Sequence, residues 1–206
     1  MGFGSKDYEL VSAGTRLCYA TGKRKREKGT SMKVVIVGGV AGGATAAARL
    51  RRLDEAAEIV VFERSGYISY ANCGLPYYIG GVIQDQEELT LQTPQGFWDR
   101  FRIDVRVRHE ATAIHREEKT VTVKNLETGE VTTESYDKLI LAPGARPTRP
   151  PIPGLDSDRL FSLRTVEDTL AIRTFVEREK PRTAVLAGAA SSAWNWRRTW
   201  RRWGSR

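Results

Sequence analysis

The chain has 206 residues, with 33 Lys and Arg against 25 Asp and Glu, a net charge of +8 and only two cysteines. An apolar fraction of 40% is enough for a packed core, so wholesale disorder is excluded, and two cysteines cannot build a secreted disulfide scaffold. The longest apolar stretch, Val34 to Ala48, is Gly-rich and shorter than the roughly 20 residues a membrane span requires.

The positive charge sits at the two ends. Residues 1–31 carry a net +4, residues 190–206 a net +5, and residues 32–189 a net −1. The basic balance therefore gives no reason to assign a nucleic-acid partner to the middle of the chain. Residues 1–31 show no sustained helical or strand period and end in the polar run GKRKREKGTS. A disordered, solvated basic arm is expected, with Cys18 incidental to it; a targeting or phosphate-binding arm is the other reading. The start MGFGSK has neither a signal-peptide apolar region nor, with Lys6, the myristoylation pattern. A cytoplasmic protein is expected.

At Lys33 the pattern changes. Val34-Val35-Ile36-Val37 is a β-branched run of the kind buried on both faces of a parallel sheet. It leads into Gly38-Gly39-Val40-Ala41-Gly42-Gly43 and an Ala-rich helix expected over Ala44 to Leu53. Strand, glycine turn and helix open a dinucleotide-binding unit, in which the backbone approaches a pyrophosphate at a helix N-terminus. Val40 stands where the middle glycine of the usual fingerprint would be, so the match is imperfect. A second strand, Glu58 to Phe62, ends in Glu63, 20 residues after Gly43. A carboxylate there suits an unphosphorylated adenosine ribose, as in FAD or NAD.

Next comes Ser69-Tyr70-Ala71-Asn72-Cys73-Gly74-Leu75-Pro76-Tyr77-Tyr78. A lone cysteine is by default a small packing residue. Here, however, its neighbours are polar or small, and Gly74 and Pro76 mark the opening of a helix, where a thiolate is favoured. No second cysteine follows nearby. A reactive thiol in that setting cycles with an outside partner, either a small thiol as mixed disulfide or an oxidant as sulfenic acid.

These segments, with YDKLILAPGARP and IPGL further on, resemble the FAD-dependent pyridine nucleotide–disulfide oxidoreductases, and among them the single-cysteine coenzyme A–disulfide reductases. The resemblance runs from Met32 to about Ala189. It implies an α/β fold: a Rossmann-like, three-layer FAD-binding domain with a parallel sheet and a β-meander, cut at the start of a second, NAD(P)-binding domain. Residues 32–150 would be the FAD domain, incomplete, and 151–189 a linker and the start of the NAD(P)H domain. By resemblance, Gly38, Gly39, Val40, Ala41 and Gly43 wrap the FAD pyrophosphate. Glu63, with Arg64 beside it, holds the ribose, Ala111 meets the adenine side, and Ala142, Pro143 and Gly144 close over the cofactor. Cys73 would be the redox cysteine, resting as a mixed disulfide with CoA. Thr45, Arg49, Arg52, Ser69 and Asn72 would line the CoA channel, a solvated helix end being the other reading of the arginines. NAD(P)H would be the reductant, and intact relatives are homodimers. Related peroxidases carry a catalytic His where this chain has Ala41. Water-forming NADH oxidases, which cycle the cysteine through sulfenic acid, stay open as an alternative, as does a non-catalytic flavin- or CoA-binding remnant.

Residues 94–102 read as a helix with Phe97, Trp98 and Phe101 at core spacing. Strands are expected at Asp104–Val107, Thr112–His115, Thr120–Lys124 and Val131–Tyr136, with a hairpin loop around Gly129. His109 and His115 have no companion ligand at metal-binding spacing, so no metal is expected. Arg146 to Gly154 reads as an extended connector, followed by a helix over Val166–Glu177 and a strand over 183–187. The tail from Ala190 holds four of the five tryptophans. Read literally it is a cationic aromatic tail for membranes or single-stranded nucleic acid. One lost base at codon 190 also accounts for it: in the other frame ASSAWNWRRTWRRW becomes GFIGLELAENLAEMG, restoring a second G-x-G-x-x-G. On that reading 190–206 is out-of-frame sequence, with no membrane or nucleic-acid partner, and the chain is an inactive fragment.

Overall fold

A strand whose neighbours lie parallel on both sides buries both of its faces, which is what an uninterrupted Val/Ile run can satisfy. In the computed structural model, which describes residues 18–19, 31–148, 150–187, 195 and 197, Lys33–Val37 forms such a strand. The strands are β1 (Cys18–Tyr19), β2 (Lys33–Val37), β3 (Glu58–Glu63), β4 (Asp104–Val107), β5 (His109–His115), β6 (Thr120–Asn125), β7 (Val131–Ser135) and β8 (Lys138–Leu141). The helices are α1 (Ala41–Leu53), α2 (Leu75–Ile79), α3 (Pro94–Phe101) and α4 (Val166–Glu179). Two compact units interleave along the chain: residues 1–68 with 93–144, and 69–92 with 145–206.

In the first unit the sheet order is β1-β8-β2-β3-β4, with β8, β2, β3 and β4 parallel and β1 antiparallel at the edge. Side chains alternate across it. Val34, Ile36, Ile59, Val61 and Ile140 pack on one face with Ala44, Ala46 and Ala47 of α1 and Phe97 of α3. Val35, Val60 and Phe62 face the other way, onto Val121 and Val123 of the second sheet, β5-β6-β7. The result is the expected three layers: helices, parallel sheet, antiparallel meander.

The layers are also tied by charge. Lys33 Nζ lies 2.7 Å from Glu58 Oε1 and 2.6 Å from Glu134 Oε1. Glu134 Oε2 accepts from Arg106 at 2.9 Å. Burial alone would raise the Glu134 carboxyl, but hydrogen bonds and charges from Lys33 and Arg106 outweigh it and hold it below the ordinary carboxylate range.

Differences from expectation are local. Helix α1 begins at Ala41 rather than Ala44 because the second half of the glycine turn is already helical. In α3, Thr93 caps the Gly96 amide at 3.0 Å and Phe97 and Phe101 share the buried face. Trp98 is 47% exposed: one residue on from Phe97, it is rotated off that face and lies under the Arg102 guanidinium. Strand β5 starts at His109, since His109–Ala111 pairs with Val123–Asn125 before a bulge at Ala111/Ala113.

The second unit packs α2 against α4 around Ile79, Ile172 and Val176, with Leu163 and Phe175 at the margin. Helix α4 opens with a capping box, in which Thr165 Oγ1 accepts from the Asp168 amide and Asp168 accepts from that of Thr165. The strand expected over 183–187 does not form, and Val185 is 95% exposed. A parallel strand has no hydrogen-bonding partner of its own, and none of the described residues supplies one. Within the arm expected to be unstructured, Cys18 and Tyr19 pair with β8 as an edge strand; the expectations for residues 1–17, 20–30 and 188–206, Asn195 and Arg197 apart, fall outside the described residues.

Candidate dinucleotide and redox-cysteine site

In an open parallel sheet ligands bind beyond the carboxyl ends of the strands, where the following turns converge. Gly38 follows β2, Ala142 follows β8, and Glu63 ends β3. The Gly38 amide donates to Phe62 O at 2.8 Å and the Ala142 amide to Val37 O at 2.8 Å, which locks the three strand ends together. Gly38 has φ +98°, and a Cβ there would overlap the Ala142 carbonyl. A Cβ on Gly43 would overlap the Gly38 carbonyl. Both glycines are therefore required by close backbone approach, and not only by the turn. Gly39 faces Ile68 and Glu63.

Val40 caps α1 with no side-chain hydrogen bond, and no acid occupies the first turn. The opening amides of a 13-residue helix thus face outward with the positive end of its dipole, a setting built for an anion. Glu63 Oε2 accepts from the Gly39 amide at 2.6 Å and Oε1 from the Ser65 amide at 2.8 Å, which holds the carboxylate beside the glycine turn. Pro143 and Gly144 (φ +72°) continue from Ala142 as an exposed turn. This cradle of backbone amides, absent Cβ atoms and one carboxylate fits the pyrophosphate and ribose of a dinucleotide. Arg64 pairs with Glu110 at 3.6 Å on the surface, and Ala111, in β5 of the meander, packs against the core between the two sheets.

Thr45, Arg49 and Arg52 are exposed at i, i+4 and i+7 of α1, so they form one solvent-facing stripe that starts from the uncapped turn. Arg51, inside the same RLRR cluster, points elsewhere: its guanidinium bonds the carbonyls of Phe101 at 2.7 Å, Arg102 at 2.9 Å and Glu55 at 2.6 Å. It staples α1 to the end of α3.

Ser69, Asn72 and Cys73 belong to the second unit. Ser69 is one of few non-glycine residues with positive φ, +50°, and its carbonyl accepts from Leu91 at 2.9 Å. Cys73 is exposed in a turn closed by the Gly74 amide on Ala71 O at 2.9 Å. Gly74 is the N-cap of α2 and Pro76 its second residue. The thiol is therefore presented just ahead of a helix start, as expected. Sequence reasoning passed over Ser65, which orients Glu63, and Arg108, whose guanidinium lies over Gly66 where a Cβ would stand. Neither sits in a motif, and only the folded turn reveals them. Among the described residues no three His, Cys, Asp or Glu come together to hold a metal, and no helix is long and apolar enough to cross a membrane.

Residues 32–203 match the family described as pyridine nucleotide-disulphide oxidoreductase. The chain belongs to this family. Members of this oxidoreductase family are FAD-dependent and use NAD(P)H. A coenzyme A disulfide reductase of Staphylococcus epidermidis is 47% identical over 157 residues, 76% of this chain and 35% of that protein. The crystal structure of reduced Bacillus anthracis CoADR-RHD superposes with a TM-score of 0.83 at 49% identity, covering 86% of this chain and 32% of that one. A water-forming NADH oxidase from Lactobacillus brevis bound to NADH gives 0.76 at 32% identity, covering 84% of this chain and 38% of that one. The chain thus spans about a third of the length of these relatives.

Proposed function

We propose that this chain carries the flavin- and thiol-bearing part of an NAD(P)H-dependent coenzyme A disulfide reductase. The observation that carries the reading is Cys73: an exposed thiol on a tight turn at a helix start, in a chain that also carries the dinucleotide cradle. Residues 32–150 are assigned to the FAD domain and 151–189 to the linker and the beginning of the NAD(P)H domain.

In the proposed reaction the Cys73 thiolate attacks one sulfur of CoA disulfide, forming a Cys73–S–S–CoA bond as the other CoA leaves as thiolate. Two electrons and a proton then cleave that bond, returning the Cys73 thiolate and releasing the second CoA as thiol. Supplying that electron pair from NAD(P)H is the chemistry FAD brings when bound. Gly38, Gly39, Val40, Ala41 and Gly43 would hold the FAD pyrophosphate through backbone amides. Glu63 would take the ribose, with Arg64, Ala111 and Ala142–Gly144 lining the remainder. Thr45, Arg49 and Arg52, with Ser69 and Asn72, would meet CoA, whose phosphates suit an exposed cationic stripe. The reading includes a cytoplasmic location, a homodimer as in intact relatives by resemblance, and no membrane or nucleic-acid partner; the near-neutral middle of the chain gives no reason to add a nucleic-acid partner.

Incubating the protein with CoA disulfide and recording its intact mass tests this. One CoA adduct is expected, removable by a reductant, present in Cys18→Ser and absent in Cys73→Ser. No adduct, or one that survives Cys73→Ser, overturns the reading. The likeness to the water-forming oxidase favours a second reading, in which Cys73 cycles through sulfenic acid. Trapping of a peroxide-generated sulfenate at Cys73, with no CoA adduct, would select it.

A further inference from the structure

A helix of five residues does not hold itself together in water, because nucleation costs more than so few hydrogen bonds return. Helix α2, which begins two residues after Cys73, is of this kind, and its N-cap Gly74 offers no side chain. What it packs on must set its geometry. The partner is α4, a 14-residue helix closed by a capping box at one end and a left-handed Lys180 at the other. Within the shared core, Ile79 of α2 meets Ile172 and Val176.

One polar residue of α4 reaches the end of α2. The Arg173 guanidinium stands 4.2 Å from the centroid of the Tyr78 ring. Its Nη1 donates to the Tyr78 carbonyl at 3.3 Å. Its Nε is fixed by Glu177 Oε1 at 2.8 Å, and the side chain is only 23% exposed. Tyr78 is the penultimate residue of α2; its carbonyl already accepts from the Gly81 amide at 3.1 Å, and Arg173 adds a second donor at the helix end where a cation is favoured. A guanidinium meets both needs at once, lying over the ring and donating to the carbonyl, while the Glu177 carboxylate keeps it in place.

We propose that Arg173 is a positioning residue for the redox thiol: by clamping the far end of α2 it holds the Ala71–Gly74 turn that presents Cys73. The inference rests on the reading of Cys73 as the redox cysteine. It gives α4, which lies in the segment between the flavin-binding and nicotinamide-binding motifs, a role in the chemistry of the first.

The test uses the full chain carrying Cys18→Ser, so that Cys73 is the sole thiol. Hydrogen exchange is followed at the Gly80, Gly81 and Val82 amides, which bond back to Pro76, Tyr78 and Tyr77. In parallel, Cys73 modification by CoA disulfide is compared with modification by iodoacetamide, a small reagent that needs only an exposed thiol. Arg173→Met keeps the length and apolar stem but removes the cation and donors. It is expected to speed exchange at the three amides by about fivefold and to lower the ratio of CoA disulfide rate to iodoacetamide rate at least about threefold. Arg173→Lys, which keeps a cation over the ring and a donor for the carbonyl, is expected to restore the ratio. Unchanged exchange and an unchanged ratio in Arg173→Met overturn the proposal, as does a Lys variant no better than Met. Should Met fail to fold, the parent decides: amides exchanging at the unprotected rate there overturn the clamp. Exchange that responds to Arg173 in a protein forming no CoA adduct leaves the clamp standing and removes the CoA reading instead.

Discussion

Gly42 and Gly43 are neighbours in α1, yet the same substitution should act on them in opposite directions. A Cβ on Gly43 would enter the Gly38 carbonyl, a backbone atom that cannot swing aside, so Gly43→Ala is expected to cost roughly 2–4 kcal/mol and to abolish flavin binding. Gly42 is exposed in the same turn. Gly42→Ala is expected to stabilise by about 0.5–1 kcal/mol through helix propensity alone. Thermal unfolding followed by circular dichroism, with FAD binding read separately by quenching of flavin fluorescence, separates the two. The sequence pattern marked the run of glycines but could not rank them, because the rank depends on which backbone atom lies opposite. Within the RLRR cluster, three-residue spacing puts Arg49 and Arg52 on one helix face, whereas the role of Arg51 as a staple across to α3 depends on carbonyls of a distant segment and has no sequence signal. Trp98 was misread, since a half-turn mixture of Phe, Trp and Phe does not say which two are inward.

The meander and the parallel sheet come from distant segments, and Glu134 is the polar tie between them, held by Lys33 and Arg106. Its carboxyl lies below the ordinary range in the folded protein. The stability it contributes is therefore complete above the unfolded carboxyl value, about 4.3, and is lost as pH falls through the depressed folded value. Glu134→Gln is expected to cost on the order of 1–2 kcal/mol near neutrality and to approach the parent in strong acid. Urea midpoints measured from pH 7 down to pH 3 would show the two curves converging; parallel curves would contradict the assignment. Element by element, the strands were legible where period and partner agreed. β2, β3 and β6 are runs whose faces were both legible from spacing, and each found its neighbours. The 183–187 run, Thr-Ala-Val-Leu-Ala, has only Thr183 and Val185 β-branched and forms no strand, with Val185 exposed. Propensity describes a willingness to pair, whereas pairing needs a second strand in reach.

Taken together, the described chain divides its chemistry between two compact units, with the glycine turn, Glu63 and the α1 stripe in one and Ser69, Asn72 and Cys73 in the other. Both motifs were readable as sequence, and the family match carries them into one scheme. The interleaving of the units was not readable: the chain leaves the first unit after Ile68 and returns to it at Thr93, and Ser65-Gly66 and Pro94-Gln95-Gly96 near those crossings read as an ordinary turn and a helix start.

The order of strands in the main sheet has a consequence for how the molecule forms. β8 lies beside β2, so the register that pairs Val34 with Lys138 and Val37 with Leu141 joins segments about a hundred residues apart, like the Lys33 amide on Asp137, 104 positions away. Local pieces, the meander hairpins and the α-helices, can assemble early because little chain has to be closed. The strand that puts Ala142 against Gly38 arrives only after that long loop has closed. The glycine turn is therefore expected to acquire its second wall late, and pulse-labelling hydrogen exchange during refolding should show the Ala142 amide protected after those of the meander.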